Sequence, residues 1–203
     1  PFASLTAVVV THMHPDHAGA AHKLRKITGC KLYSANVEGH WYSGIDGILM
    51  HITDIALAGW VAKRKGKPKK HLWYSRKLKP DTRLANNTLI PGFEDWQVID
   101  THGHTDRDIS LKHIPSNKIY VADLMVTVKG RYVPPFPLFY PNRYQQSLNH
   151  IKSLKANALI LAHGGEVKPT EADYQYLFER SPKVPLTHWR SVKYKLKKVL
   201  FSQ

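Results

Sequence analysis

The chain has 203 residues, enough for one ordinary domain with an extension and long enough to bury a real core. Hydrophobic residues at 42% and charged residues at 22% exclude a disordered chain. Thirty Lys and Arg against 15 Asp and Glu give a net charge of +15, which attracts acidic partners such as nucleic acid or an anionic membrane without choosing between them. The excess sits at Lys63–Lys79 and Arg190–Lys198, so the histidine-rich segments are nearly balanced. The single Cys30 excludes an intramolecular disulfide and is compatible with a cytoplasmic setting. No secretory signal is visible, and a start at Pro1 reads as a processed chain or a fragment.

Ala7-Val8-Val9-Val10 is a short, β-branched apolar run, the pattern of a strand buried on both faces. Thr11 to Asp16 forms the loop that leaves it. From His17 onward Ala21, Leu24 and Thr28 share a helical face with Ala20 and Ile27, and Gly29 stands where a left-handed cap stops the helix. Cys30 to Tyr33 reads as the next strand, with Cys30 as a small core residue. Strand, loop, helix and strand in this order indicate an α/β layer protein.

Gly44 to Val61 (GIDGILMHITDIALAGWV) predicts one or two helices. A membrane span needs roughly 20 predominantly apolar residues. Asp46, His51 and Asp54 argue against one, so a buried or interfacial helix is expected. KRKGKPKKHLWYSRKLK follows at once, a basic run interleaved with Trp73 and Tyr74. It reads as a solvated loop, with nucleic acid or lipid headgroups as the functional alternatives.

Trp96 to Asp100 predicts a strand ending in THGHT, and Ile109-Ser110-Leu111 and Ile119-Tyr120-Val121 predict two more, joined by a turn at Pro115-Ser116-Asn117. Pro134 to Pro141 is a loop. Tyr144, Leu148, Ile151 and Leu154 then mark the apolar stripe of a helix, and Ala158 to Ala162 another buried strand. Thr170 caps a helix through about Glu179, with Glu171 and Asp173 in its first turn. Val192, Leu196, Val199 and Leu200 lie at helical spacing among lysines at the C-terminus. The organisation expected is a single domain over 1–203, with a helical and basic insertion at about 40–85 and a basic helix at about 186–203.

Four apolar strands thus end in ligand-type residues: His12, His14, Asp16 and His17 after Val10, His104 after Asp100, Asp123 after Val121, and His163 after Leu161. Loops leaving strands at one edge of a sheet converge where α/β proteins bind ligands. Imidazoles suit zinc and other borderline metals, and a carboxylate binds terminally or bridges two ions. A closed zinc site needs four ligands. Seven candidates point to two divalent ions with room for water, zinc being the leading choice and iron or manganese the alternatives.

THMHPDHAG resembles the H-x-H-x-D-H motif of the metallo-β-lactamase superfamily, and Gly103-His104-Thr105, Asp123 after a strand and His163 followed by glycines appear in the same order. The resemblance covers roughly residues 6 to 165. It implies an α/β fold, the four-layer αβ/βα sandwich, with one metal on His12, His14 and His104. The second metal is then on Asp16, His17 and His163, with Asp123 bridging. It also implies a hydrolase in which the two cations acidify a shared water, with Asp16 and Asp123 as catalytic carboxylates. His22, His40, His51, His71, His102, His113, His150 and His188 are read as structural, His102 included despite its closeness to His104.

HGHTDRDISL is similar to the corresponding segment of the hydroxyacylglutathione hydrolase and lactonase branch, which implies a small-molecule ester, lactone or thioester substrate. Asp106-Arg107-Asp108 replaces the usual Pro-Gly-Ser-like turn, and Ala122 and Ala162 stand where glycine is common, which alters the loops around the ligands. No glutathione-binding signature is visible. The alternatives are a phosphodiesterase or nuclease of the same superfamily, acting on nucleic acid or a phospholipid headgroup, and a non-catalytic metal-binding protein. Members of the family carry several strands before the histidine motif. The sequence therefore reads as N-terminally short, with an open sheet edge that invites a homodimer. A cytoplasmic location with association to a membrane is the expectation from the basic segments.

Overall fold

A computed structural model describes residues 4–68 and 70–188. From residue 189 on, the expected basic C-terminal helix lies outside the described residues. The chain divides into two units, residues 1–85 and 86–203.

The first unit is built on a three-stranded parallel sheet in the order β1 (Ala7–Val10), β2 (Lys31–Ala35), β3 (Thr82–Leu84). Parallel neighbours need crossover connections, and helices supply the first of them. The helix expected from His17 to Thr28 is interrupted: α1 spans Pro15–Ala18 and α2 spans Ala21–Thr28. Ala20, at φ −92° and ψ −11°, stays in the right-handed region and serves as the N-cap of α2, following Gly19, the poorest helix former in the stretch. Gly29 closes α2 in the left-handed conformation (φ 73°), as its position predicts. Val10, Leu32, Cys30, Ala18, Ala21, Tyr42 and Tyr74 form this unit's core.

Gly44 to Val61 folds as one helix, α3 (Gly44–Arg64), which continues into the basic run. Gly47 fixes its start, because a Cβ there would meet the Tyr42 carbonyl carbon at 2.3 Å. Its buried positions are Gly47, His51 and Asp54. α3 is long and apolar enough to cross a membrane by length and composition.

The second unit centres on a six-stranded sheet in the order β11 (Gly165–Val167), β10 (Ala158–Leu161), β7 (Lys118–Ala122), β6 (Ile109–His113), β5 (Phe93–Asp100), β4 (Leu89–Ile90). β10 pairs parallel with β7, whereas β5–β6 and β6–β7 are antiparallel. β5, β7 and β10 therefore run the same way, and their C-terminal ends open on one edge. β8 (Val126–Val128) and β9 (Arg131–Val133) make a separate hairpin, whose two-residue turn Lys129-Gly130 has positive φ at both positions, the twist such turns require. α4 (Pro141–Ser153) buries Tyr144, Leu148 and Ile151, the stripe read from the sequence, against Ile99, Ile119 and Leu159. α5 (Glu171–Arg180) begins in a capping box, with Thr170 Oγ1 accepting from Asp173 N and the Asp173 carboxylate accepting from Thr170 N.

Candidate metal centre

In the first unit, the residues after β1 are shaped by one proline. Pro15 is the first residue of α1, and it holds His14 extended (φ −66°, ψ 155°) as the residue before a proline prefers. The His14 carbonyl accepts from Ala18 N at 2.8 Å, so the turn folds back at once. His12 and His14 meet edge to face with ring centroids 4.9 Å apart, and His12 and His17 lie 4.0 Å apart. Asp16 Oδ2 sits 3.8 Å from His17 Nε2. His12 and His14 are buried, while the Asp16 side chain is 47% exposed and so within reach of solvent or a substrate.

Hydrogen bonds from neighbouring residues set which ring nitrogen of each histidine is used. Thr11 Oγ1 lies 3.3 Å from His12 Nδ1 and 3.2 Å from His17 Nδ1. A hydroxyl has two lone pairs, so it can accept an N–H from both rings and leave both Nε2 atoms as donors to a metal. On the far side of the loop, Asp54 of α3 lies 3.8 Å from His14 Nε2 and accepts from the Tyr42 hydroxyl at 2.8 Å. The Tyr74 hydroxyl donates to the carbonyl of Met13, between the two histidines, at 2.5 Å. Burial first, then the charge of Asp54, holds the Tyr42 hydroxyl protonated. Burial does the same for Tyr74. Both remain donors across the ordinary pH range.

In the second unit, His104, Asp123 and His163 follow β5, β7 and β10, the three strands that share a direction. His104 Nδ1 donates to the Pro137 carbonyl at 2.5 Å, which leaves Nε2 as the lone-pair nitrogen. That Nε2 lies 3.8 Å from Asp123 Oδ2, and His163 Nε2 lies 3.7 Å from Asp123 Oδ1. The loop carrying His104 is closed by Asp108, whose carboxylate accepts from Gly103 N (3.1 Å), Thr105 N (2.6 Å) and Thr105 Oγ1 (2.8 Å). Burial pushes the Asp108 carboxyl up, against the opposing pull of His104 and these hydrogen bonds. Gly103 passes so close to α4 that a Cβ would stand 2.5 Å from Tyr144 Cα. Asp123 is aimed by Ala122, an alanine held at φ +47° where glycine is the comfortable residue.

Among the described residues, those grouped as potential metal ligands are His12, His14, Asp16 and His17 of the first unit and His104, Asp123 and His163 of the second. All seven are the residues singled out from the sequence. Separations of 3.7–3.8 Å between a ring nitrogen and a carboxylate oxygen are too long for hydrogen bonds. They suit two donors that each stand about 2.0–2.2 Å from one ion. The donor set of imidazoles and carboxylates, with Nδ1 engaged elsewhere at His12, His17 and His104, fits a borderline divalent metal. His102 stays outside, its Nε2 3.9 Å from Asp100. Thr11, Asp54, Tyr42, Tyr74, Asp108 and the Pro137 carbonyl were not legible as supporting residues. Most of them reach the ligand loops across long sequence separations that carry no local pattern.

Residues 3–163 match the family model described as the metallo-beta-lactamase superfamily. Solved structures agree. An archaeal metallo-beta-lactamase superfamily protein from Sulfolobus tokodaii is 22% identical with a TM-score of 0.62, over 86% of this chain and 67% of that one. A metallo-beta-lactamase family protein from Thermus thermophilus is 16% identical with a TM-score of 0.56, over 100% of this chain and 66% of that one. A third protein, described in a di-iron-bound form, is 19% identical with a TM-score of 0.52, over 87% of this chain and 76% of that one. The chain thus spans about two thirds of the length of the first two. A search of curated proteins gave no match. Helices and sheets in this order are those of the α/β sandwich fold of that family, and the chain belongs to the metallo-β-lactamase superfamily.

Proposed function

We propose that the chain is a two-metal hydrolase of ester-type bonds, cleaving a lactone, thioester or simple ester. The observation that carries this reading is Asp123, whose two oxygens each face a different histidine, His104 on one side and His163 on the other. A carboxylate so placed can give one oxygen to each of two ions. In this reading His12, His14 and His104 would hold one ion, and Asp16, His17 and His163 would hold the second. When bound, such a pair supplies a water acidified towards neutral pH and polarises the substrate carbonyl.

The chain's own residues supply the positioning. The Thr11 hydroxyl and the Pro137 carbonyl fix the tautomers of His12, His17 and His104. Asp16, exposed on the first turn of α1, would accept a hydrogen bond from a water held in the site. Family membership supports hydrolysis in general, and the similarity of HGHTDRDISL to the lactonase-like branch supports an ester-type bond. Zinc suits the imidazole-rich set, with iron the alternative that the di-iron-bound neighbour raises.

The test is turnover of a lactone, a thioester and bis(p-nitrophenyl) phosphate by the zinc-, iron- and manganese-loaded chain. Ester-type turnover that disappears in Asp16→Asn and on chelation is expected. Turnover of the phosphodiester alone would move the reaction to the nuclease side. No turnover of any substrate by a chain that binds metal would overturn the hydrolase reading.

A further inference from the structure

α3 is turned inside out for a helix on a soluble surface. Its buried positions hold Gly47, His51 and Asp54, two of them polar. Its exposed positions include Ile45, Ile48, Leu49, Ile52, Ala56 and Trp60, spaced three and four apart along one face. Ile45 is 78% exposed and Trp60 54%. Single exposed apolar residues need no explanation, but a continuous stripe along four turns does.

The inverted pattern follows from what the buried side is doing. Gly47 lets the helix press on the Tyr42 backbone, and Asp54 receives the Tyr42 hydroxyl. His51 packs among the rings of Tyr42, Trp73 and Tyr74, with centroids 4.8, 5.4 and 4.7 Å away. Polar residues therefore anchor α3 to its own unit, which also fixes it against leaving to span a bilayer. The apolar stripe is left facing outward.

The residues that follow identify the occupant by their charge. Lys63, Arg64, Lys65, Lys67 and Lys70 are all exposed and carry no acidic residue among them. Arg64 lies over the Trp60 ring at 4.7 Å, and Trp73 is 61% exposed beyond the basic run. Indole rings prefer the boundary between hydrocarbon and headgroups, and clustered cations prefer lipid phosphates. A nucleic acid satisfies the cations but offers nothing to the isoleucine stripe. A second copy of the chain brings the same positive charge to the contact.

We propose that α3 is an interfacial anchor that lays Ile45, Ile48, Leu49, Ile52 and Trp60 into an anionic lipid surface, with Lys63, Arg64, Lys65, Lys67 and Lys70 against the headgroup phosphates. Held this way the helix lies in the plane of the interface, with its polar side on the protein. The inference stands apart from the hydrolase reading, since its readout is binding and not turnover.

The experiment is flotation of the full chain with vesicles of phosphatidylcholine containing phosphatidylserine, and with vesicles of phosphatidylcholine alone. Binding to the mixed vesicles and its release by salt are expected. Ile48→Asp with Ile52→Asp should reduce it on the order of tenfold or more, from the apolar area withdrawn from lipid. Lys63→Gln, Lys65→Gln and Lys67→Gln together should reduce it about 100-fold. Circular dichroism checks that both variants melt as the parent does, the substituted positions being exposed. Absence of binding to mixed vesicles, or binding that ignores Ile48 and Ile52, overturns the proposal. So does a salt-sensitive complex with RNA in place of vesicle binding. Association of the chain with itself that Ile48→Asp abolishes, without vesicle binding, gives the stripe to a second copy and also overturns it.

Discussion

The two sets of candidate ligands, one in each unit, are made in different ways. His12, His14, Asp16 and His17 come from six consecutive residues, and their arrangement follows from one short strand, of which Val10 alone is fully buried and not the whole run as its apolar pattern suggested, one proline and one hydroxyl. His104, Asp123 and His163 are spread over 60 residues of sequence and meet only because β5, β7 and β10 run the same way in one sheet. The first set depends on local chemistry and the second on topology. Substitutions should therefore act on the first set through metal affinity alone, and on the second through both affinity and stability.

The largest effect is expected at Asp123. Asp123→Asn keeps the shape but removes the charge between His104 and His163. It should weaken metal binding by more than the roughly 100-fold that loss of a supporting partner costs, read by calorimetric titration. Thr11→Val comes next. It deletes the acceptor shared by His12 and His17 and should cost about 10- to 100-fold in affinity, with the melting temperature of the metal-free chain little changed. An unchanged affinity would show that the rings are held by packing alone.

Two backbone substitutions probe the topological set. Gly103→Ala puts a methyl group 2.5 Å from Tyr144 Cα and should destabilise the fold by about 1–3 kcal/mol in urea unfolding. Ala122→Gly should stabilise by about 1 kcal/mol, since it relieves a left-handed alanine. A loss of stability there would contradict the account of how Asp123 is aimed.

The smallest effect concerns His51. Burial, then the charge of Arg76, pushes its imidazole below the ordinary value. The unfolded chain then binds more protons than the folded one just below about pH 6.5. Stability is retained above that pH and falls as pH drops through the lowered value. His51→Gln should flatten this part of the stability–pH curve, and equal slopes in both proteins would contradict it.

What was legible in the sequence follows the same division. β1, the Gly29 cap, the α4 stripe and the Thr170 cap are local patterns, and the structure has them. The candidate ligand positions at strand ends stood out in the sequence because each closes an apolar run. The break after Ala18 was not, since Gly19 interrupts a helix whose hydrophobic spacing continues through it. Nor was the outward stripe of α3. Periodicity finds the apolar face of a helix but assumes that this face turns inward, and here Asp54 and His51 take the inner side. The support given by Tyr42, Tyr74 and Pro137 arises from residues 29, 61 and 33 positions away from their partners, and no local rule reads such contacts.

The central claim of the proposed function is that these seven residues hold two metal ions. Metal analysis of the purified chain after zinc loading and dialysis tests it most directly, run beside Asp123→Asn and His12→Ala. The account predicts two ions per chain in the parent, with at most one retained in His12→Ala and neither held tightly in Asp123→Asn, all three folded. A folded parent that retains no metal, or two ions that survive both substitutions, would contradict it.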